Sequence, residues 1–76
     1  MATYEFNKTQ NFLSDLETNL KKRFKYVFKE QQEDTILFDT LIYRFRIKES
    51  DSKYILDTNC PPTLLKYFTN LEPINL

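Results

Sequence analysis

From Leu41 to Glu49 the chain reads LIYRFRIKE, with bulky apolar side chains alternating with cations. A helix brings residues to one face every three or four positions, whereas strict alternation suits an extended strand with one dry and one wet side. Leu41, Tyr43, Phe45 and Ile47 then face a core, and Arg44, Arg46 and Lys48 face the other way. A strand of this kind needs neighbours, so the stretch calls for an antiparallel sheet with one face packed and one in water. It also sets the functional question, which is whether the basic row is a binding surface or only the solvated side of a sheet.

The rest of the chain supplies the packing partners. Phe6, Leu13, Leu16, Leu20 and Phe24 follow helical spacing with Phe12 beside them, which predicts a first helix starting between residues 4 and 8 and ending near 22. Thr3 or Asn7 is its expected N-cap, with Asn7 and Gln10 resembling a capping box, and Lys21-Lys22-Arg23 suits the negative end of the helix dipole. In FKYVFKE, residues 24–30, the period changes to two: Phe24, Tyr26 and Phe28 on one face, Lys25, Val27 and Lys29 on the other. QQED reads as a turn. TILFDTLIYRFRIKE then reads as one long bent strand or as two segments interrupted near Asp39-Thr40, a single strand with a bulge being favoured because Ile36 and Phe38 alternate on the opposite parity to Tyr43 and Phe45. ESDS closes a hairpin, and KYILD is a third strand with Tyr54 and Leu56 inward. Thr58 or Asn59 caps a last helix begun by Pro61-Pro62, with Leu64, Leu65, Phe68 and Leu71 as its apolar stripe and Pro73 beyond its end.

These elements compose one small globular domain over residues 1–76, of the α+β class: a two-layer sandwich, helix–three-stranded antiparallel sheet–helix (αβββα), with both helices on one sheet face. A 76-residue chain has room for one core, and seven Phe with five Tyr supply large side chains to fill it. The open face is expected to carry Lys25, Lys29, Arg44, Arg46, Lys48 and Lys53, with Val27, Ile42 and Ile55 among them. The helix–three strands–helix order is shared with double-stranded-RNA-binding domains. Their basic cluster at the start of the last helix has no counterpart in CPPTLLKYF, which holds only Lys66, so no family is assigned.

Missing residue types narrow the chemistry. The chain has no Gly, which removes phosphate-cradling loops, dinucleotide fingerprints and nucleophile elbows, and no His, the commonest general base and zinc ligand. An enzyme is not expected, nor a cofactor. Cys60, before Pro61 at a helix start, sits where a thiolate can be activated, yet without a His it reads as a small packing residue. The carboxylates Glu30, Glu33 and Asp34, and Glu49 with Asp51, fall in turns and read as solvated rather than metal-binding. A single Cys fits a reducing compartment. With neither an apolar leader in MATYEFNKTQ nor a spanning run, a cytoplasmic protein without membrane association is expected.

Eleven cations balance eleven carboxylates, so an electrostatic footprint has to be local. Nine of the cations lie between residues 21 and 53, which points to a basic middle. The reading that follows is a small non-catalytic module, an inhibitor, adaptor or accessory factor, docking on a larger protein through Lys25, Lys29, Arg44, Arg46 and Lys48. Its richness in Asn, Lys, Phe, Tyr and Ile resembles that of A+T-rich genomes, and phage or mobile-element products include compact domains of this sort. A nucleic-acid enzyme is one concrete target. A second reading places phosphates on Lys25, Arg44, Arg46 and Lys48, joined by a secondary patch at Lys21, Lys22 and Arg23. A third is a homodimer closed through the open face or an edge strand.

Overall fold

The computed structural model describes residues 2–8 and 11–75. It contains six strands and two helices: β1 (Ala2–Asn7), α1 (Phe12–Arg23), β2 (Phe28–Gln32), β3 (Thr35–Asp39), β4 (Arg44–Glu49), β5 (Lys53–Thr58), α2 (Pro62–Thr69) and β6 (Ile74–Asn75). All six strands form one antiparallel sheet in the order β2-β3-β4-β5-β1-β6. The α+β class and the shared helix layer agree with the sequence reading. The three-stranded sheet does not, and with the extra strands the resemblance in element order to double-stranded-RNA-binding domains is lost.

The first correction is at the N-terminus, where ATYEFN is a strand and not the first turns of a helix. Tyr4 and Phe6 point into the core and Thr3 and Glu5 outward, and Ala2 through Asn7 pair with Thr58 through Lys53. The pairing partner lies some fifty residues away, so the local sequence offers no sign of it, and Phe6 alone also matches the spacing of the helical stripe. The helix begins at Phe12. Asn11 occupies its N-cap position without a side-chain cap bond, and Gln10, the other half of the expected capping box, lies outside the described residues. Phe12, Leu16 and Leu20, four residues apart, are buried along one face. Lys21, Lys22 and Arg23 fill the last turn, as the dipole favours.

The second correction concerns residues 24–48. Phe24 to Val27 are a connection, and β2 begins only at Phe28. Thr35–Asp39 and Arg44–Glu49 are separate strands of a hairpin, not one bulged strand. The change of parity arises because the chain reverses: Phe38 stands opposite Phe45 and Ile36 opposite Ile47, so even positions of β3 share a face with odd positions of β4. With no Gly to make its turns, the chain places ordinary residues at positive φ, namely Glu33 at 48° between β2 and β3, Leu41 at 75° between β3 and β4, and Asn70 at 60° after α2.

Both helices lie on one side of the sheet. The core between them joins Tyr4, Phe6, Phe38, Phe45, Ile47, Tyr54 and Leu56 from the strands to Phe12, Leu16, Leu20, Leu65 and Phe68 from the helices. Aromatic pairs run through it: Phe12 stacks on Tyr54 at 4.7 Å and meets Phe6 at 4.9 Å, while Phe68 lies 5.9 Å from Phe24 and 6.3 Å from Phe45. The Asn19 side chain on α1 donates to the Phe68 carbonyl on α2 at 2.7 Å, fixing one helix against the other. Pro62 opens α2 as expected, but the expected caps have other roles. The Thr58 hydroxyl accepts the Cys60 N–H, and Asn59 braces the β3–β4 hairpin. The helix ends at Asn70, whose left-handed conformation closes it before Pro73.

Candidate binding surface

Among the described residues, none forms a layer over the sheet face away from the helices. Along β4, Arg44, Arg46 and Lys48 project there and are exposed, while Phe45 and Ile47 are buried on the other side. This part of the reading of LIYRFRIKE holds. The neighbours differ from expectation. In register across the face, Arg44 lies beside Asp39, Arg46 between Leu37 and Asp57, and Lys48 between Thr35 and Ile55. Glu30 of β2 follows Leu37 in the same row, and Glu5 of β1 follows Ile55.

Four cations on this face, counting Lys53, thus meet four carboxylates, Glu5, Glu30, Asp39 and Asp57, and the basic face of the sequence reading is electrically mixed. Lys53 pairs with Glu5 at 2.8 Å and Arg44 with Asp39 at 3.5 Å. Asp57 accepts a hydrogen bond from the Thr3 hydroxyl at 2.6 Å. Among the described residues Arg46 and Lys48 form no ion pair, which leaves them to engage an external group. A depression of about 350 Å³ on this face is lined by Glu30, Gln32, Thr35, Leu37, Arg44 and Arg46. A second hollow of about 500 Å³ continues around the β2–β3 turn at Gln32, Glu33, Asp34, Thr35 and Arg46.

Lys25 and Lys29 do not join this face. Lys25 is in the connection before β2. Lys29 stands opposite Phe38 and so points to the helix side, where its Nζ meets Glu17 Oε1 of α1 at 3.1 Å and lies over the Phe38 ring. The cause is the one-residue offset of parity: with 24–27 outside the strand, Phe28, Glu30 and Gln32 take the open side. Glu17 also receives Lys21 at 2.9 Å, and the hydrogen bond from Lys21 and that from Lys29 hold its carboxyl below its ordinary value. Lys22, Arg23 and Lys25 have no ion pair among the described residues, so the secondary basic patch is a distinct place at the end of α1.

Sequence reasoning missed the depression and the hairpin tip between β3 and β4. Leu41 and Ile42 at that tip are 76% and 62% exposed, and Tyr26 and Phe28 nearby are each 45% exposed. The available signal was Asp39-Thr40, two residues with turn chemistry placed between apolar runs. The depression had none, because it needs β2 and β3 side by side with Glu30 and Gln32 turned outward.

Cys60 is buried, and burial pushes its thiol up to about 11, the reverse of an activated nucleophile. Among the described residues no three potential metal ligands converge, and no helix is long and apolar enough to cross a membrane. Comparison with protein-family models, with curated proteins and with solved structures found no match to this chain.

Proposed function

We propose that the chain is a small non-catalytic protein-binding module, of the inhibitor, adaptor or accessory kind, whose docking surface is the open face around Arg46 and Lys48. The observation that carries this reading is the depression over β2, β3 and β4. It presents Leu37 as an apolar floor, Arg46 and Glu30 as charges of opposite sign, and Gln32 and Thr35 as hydrogen-bonding groups. A surface of mixed charge with an apolar centre suits a protein partner, where side chains of both signs and an apolar anchor find complements. It suits a phosphate backbone less well, since Asp39, Asp57 and Glu30 stand beside the cations that would meet the phosphates.

The test is affinity capture from a nuclease-treated lysate of the native host, with the wild-type chain and with Arg46→Glu/Lys48→Glu as bait. A protein held by the wild type and lost by the variant, with the urea midpoints of the two baits equal, is the expected outcome. Equal retention by both assigns the partner to another surface. Recovery of nucleic acid from untreated lysate alone, declining steeply with salt, replaces the reading with phosphate binding.

A further inference from the structure

The charges and the exposed apolar side chains are sorted to opposite ends of the sheet. At one end the β2–β3 and β4–β5 turns lie together, joined by the Glu49 N–H donating to the Asp34 carbonyl at 3.0 Å, and they carry Glu33, Asp34, Glu49 and Asp51, with Lys8 paired to Glu49. At the other end the chain leaves α1 and enters β2, and β3 turns into β4. Here Lys22, Arg23 and Lys25 flank Phe24, whose ring meets Tyr43 edge-on at 6.1 Å, and Arg44 follows Tyr43. Four of the six large exposed apolar residues, Tyr26, Phe28, Leu41 and Ile42, gather at this same end. One end therefore gathers Lys22, Arg23, Lys25 and Arg44, the last paired to Asp39, with most of the exposed apolar side chains, while the other holds four carboxylates with Lys8, Lys48 and Lys53 beside them.

The tip formed by Leu41 and Ile42 extends beyond Asp39 and Arg44, the last paired residues of its strands. It is rigidly braced from behind. Asp39 accepts the Leu41 N–H at 2.9 Å, Asn59 donates to the Ile42 carbonyl at 3.1 Å and accepts the Arg44 N–H at 2.9 Å, and the Thr40 hydroxyl accepts the Tyr43 N–H at 2.9 Å. The Leu41 N–H, the Ile42 carbonyl and the Tyr43 N–H, satisfied by the protein's own side chains, can enter an apolar medium without losing water as a partner. Leu41 holds its positive φ of 75° with a bulky side chain, a strain the bracing maintains. The result is a convex aliphatic tip with cations set behind it. The two most exposed side chains of this end, Leu41 and Ile42, are aliphatic and offer bases no flat ring to stack on, Tyr26 and Phe28 being less exposed, and a protruding apolar tip needs a yielding apolar medium. An anionic bilayer presents acidic headgroups outside and hydrocarbon within, the same order in which this end presents its cations and its tip.

We propose that the β3–β4 end of the molecule docks on an anionic lipid membrane, with Leu41 and Ile42 entering the headgroup–acyl boundary and Lys22, Arg23, Lys25 and Arg44 meeting the headgroups. Arg44 also lines the depression beside Arg46, but Leu41, Ile42, Lys22, Arg23 and Lys25 lie outside it, so the proposal stands whether or not Arg46 and Lys48 bind a protein. The test is co-sedimentation with phosphatidylcholine vesicles made with and without phosphatidylserine. The wild-type chain is expected to bind the phosphatidylserine vesicles at least about tenfold more strongly than neutral ones, less so as salt rises. Leu41→Ser/Ile42→Ser is expected to weaken that binding about tenfold or more while remaining salt-sensitive. Arg23→Glu/Lys25→Glu removes the preference for phosphatidylserine, and Arg46→Glu/Lys48→Glu leaves binding unchanged, each variant first shown by circular dichroism and urea unfolding to be folded. Absence of wild-type binding at low salt, equal binding to neutral vesicles, undiminished binding by Leu41→Ser/Ile42→Ser, or loss on Arg46→Glu/Lys48→Glu would each overturn the proposal.

Discussion

Leu41 shows most directly what single positions do in a chain without glycine. Its backbone sits in the left-handed region, where a Cβ costs about 1–2 kcal/mol, and its side chain is largely in water, so little packing offsets that cost. Leu41→Gly is expected to raise stability by up to about 1 kcal/mol in urea unfolding, against a loss for Ile42→Gly, whose φ is negative. Cys60 gives a prediction in pH. Its folded thiol is raised by burial from 9.0 to about 11, so the folded chain keeps a proton that the unfolded chain releases from about pH 9 upward. The associated stability is fully present below about pH 9 and is lost as the pH rises toward 11. The gap in stability between the wild type and Cys60→Ala should accordingly narrow over that window, and the thiol should resist alkylation at neutral pH until the chain is unfolded.

At the scale of elements, the β3–β4 hairpin owes its geometry to a side chain from outside it. Asn59, immediately after β5, holds both the Ile42 carbonyl and the Arg44 N–H, and so ties the hairpin tip to the neighbouring strand. Asn59→Ala should cost about 1–2 kcal/mol and speed amide exchange at Arg44 more than at Ile47 in mid-strand. The α1–β2 connection behaves differently. Lys21 and Lys29 share Glu17 at the surface, where exposure and salt screen ion pairs, so Glu17→Gln should cost less than about 1 kcal/mol while making that corner still more cationic. The edge strand β2 is exposed at every residue and gains little from burial. Its Lys29 points inward toward Glu17, a charge on the core side that discourages another strand from adding to this edge.

For the molecule as a whole, β5 is the keystone. It pairs with β4 on one side and β1 on the other, and Leu56 at its centre is fully buried. Leu56→Ala should destabilise by about 2–5 kcal/mol, a large share of what a domain of this size has, and unfolding by heat or urea would register it as a drop in midpoint or outright loss of the folded state. The β1–β5 pairing joins residues some fifty positions apart, and that long loop must close before the pairing contributes. Refolding in milliseconds to seconds, not microseconds, is therefore expected in stopped-flow measurements.

What this sequence determined by itself depends on near neighbours: the alternation of β4 and of β5, the stripe of α1 from Phe12 onward and the Pro62 start of α2. Local periodicity is printed in consecutive residues, so Phe45 and Ile47 inside and Arg44, Arg46 and Lys48 outside were legible at once. Tertiary structure alone decided what depends on strand partners. ATYEFN is a strand because β5 lies beside it. Ile36 and Phe38 change parity relative to Phe45 because the chain reverses at Leu41-Ile42. Lys29 belongs to the helix side because β2 starts at Phe28. The candidate site divides along the same line, since the cations of β4 are a local pattern, whereas the carboxylates that neutralise their face come from Glu5, Glu30, Asp39 and Asp57 on four other strands. Charge adds over space and not along the chain, so only the assembled sheet shows these cations beside the carboxylates that balance them.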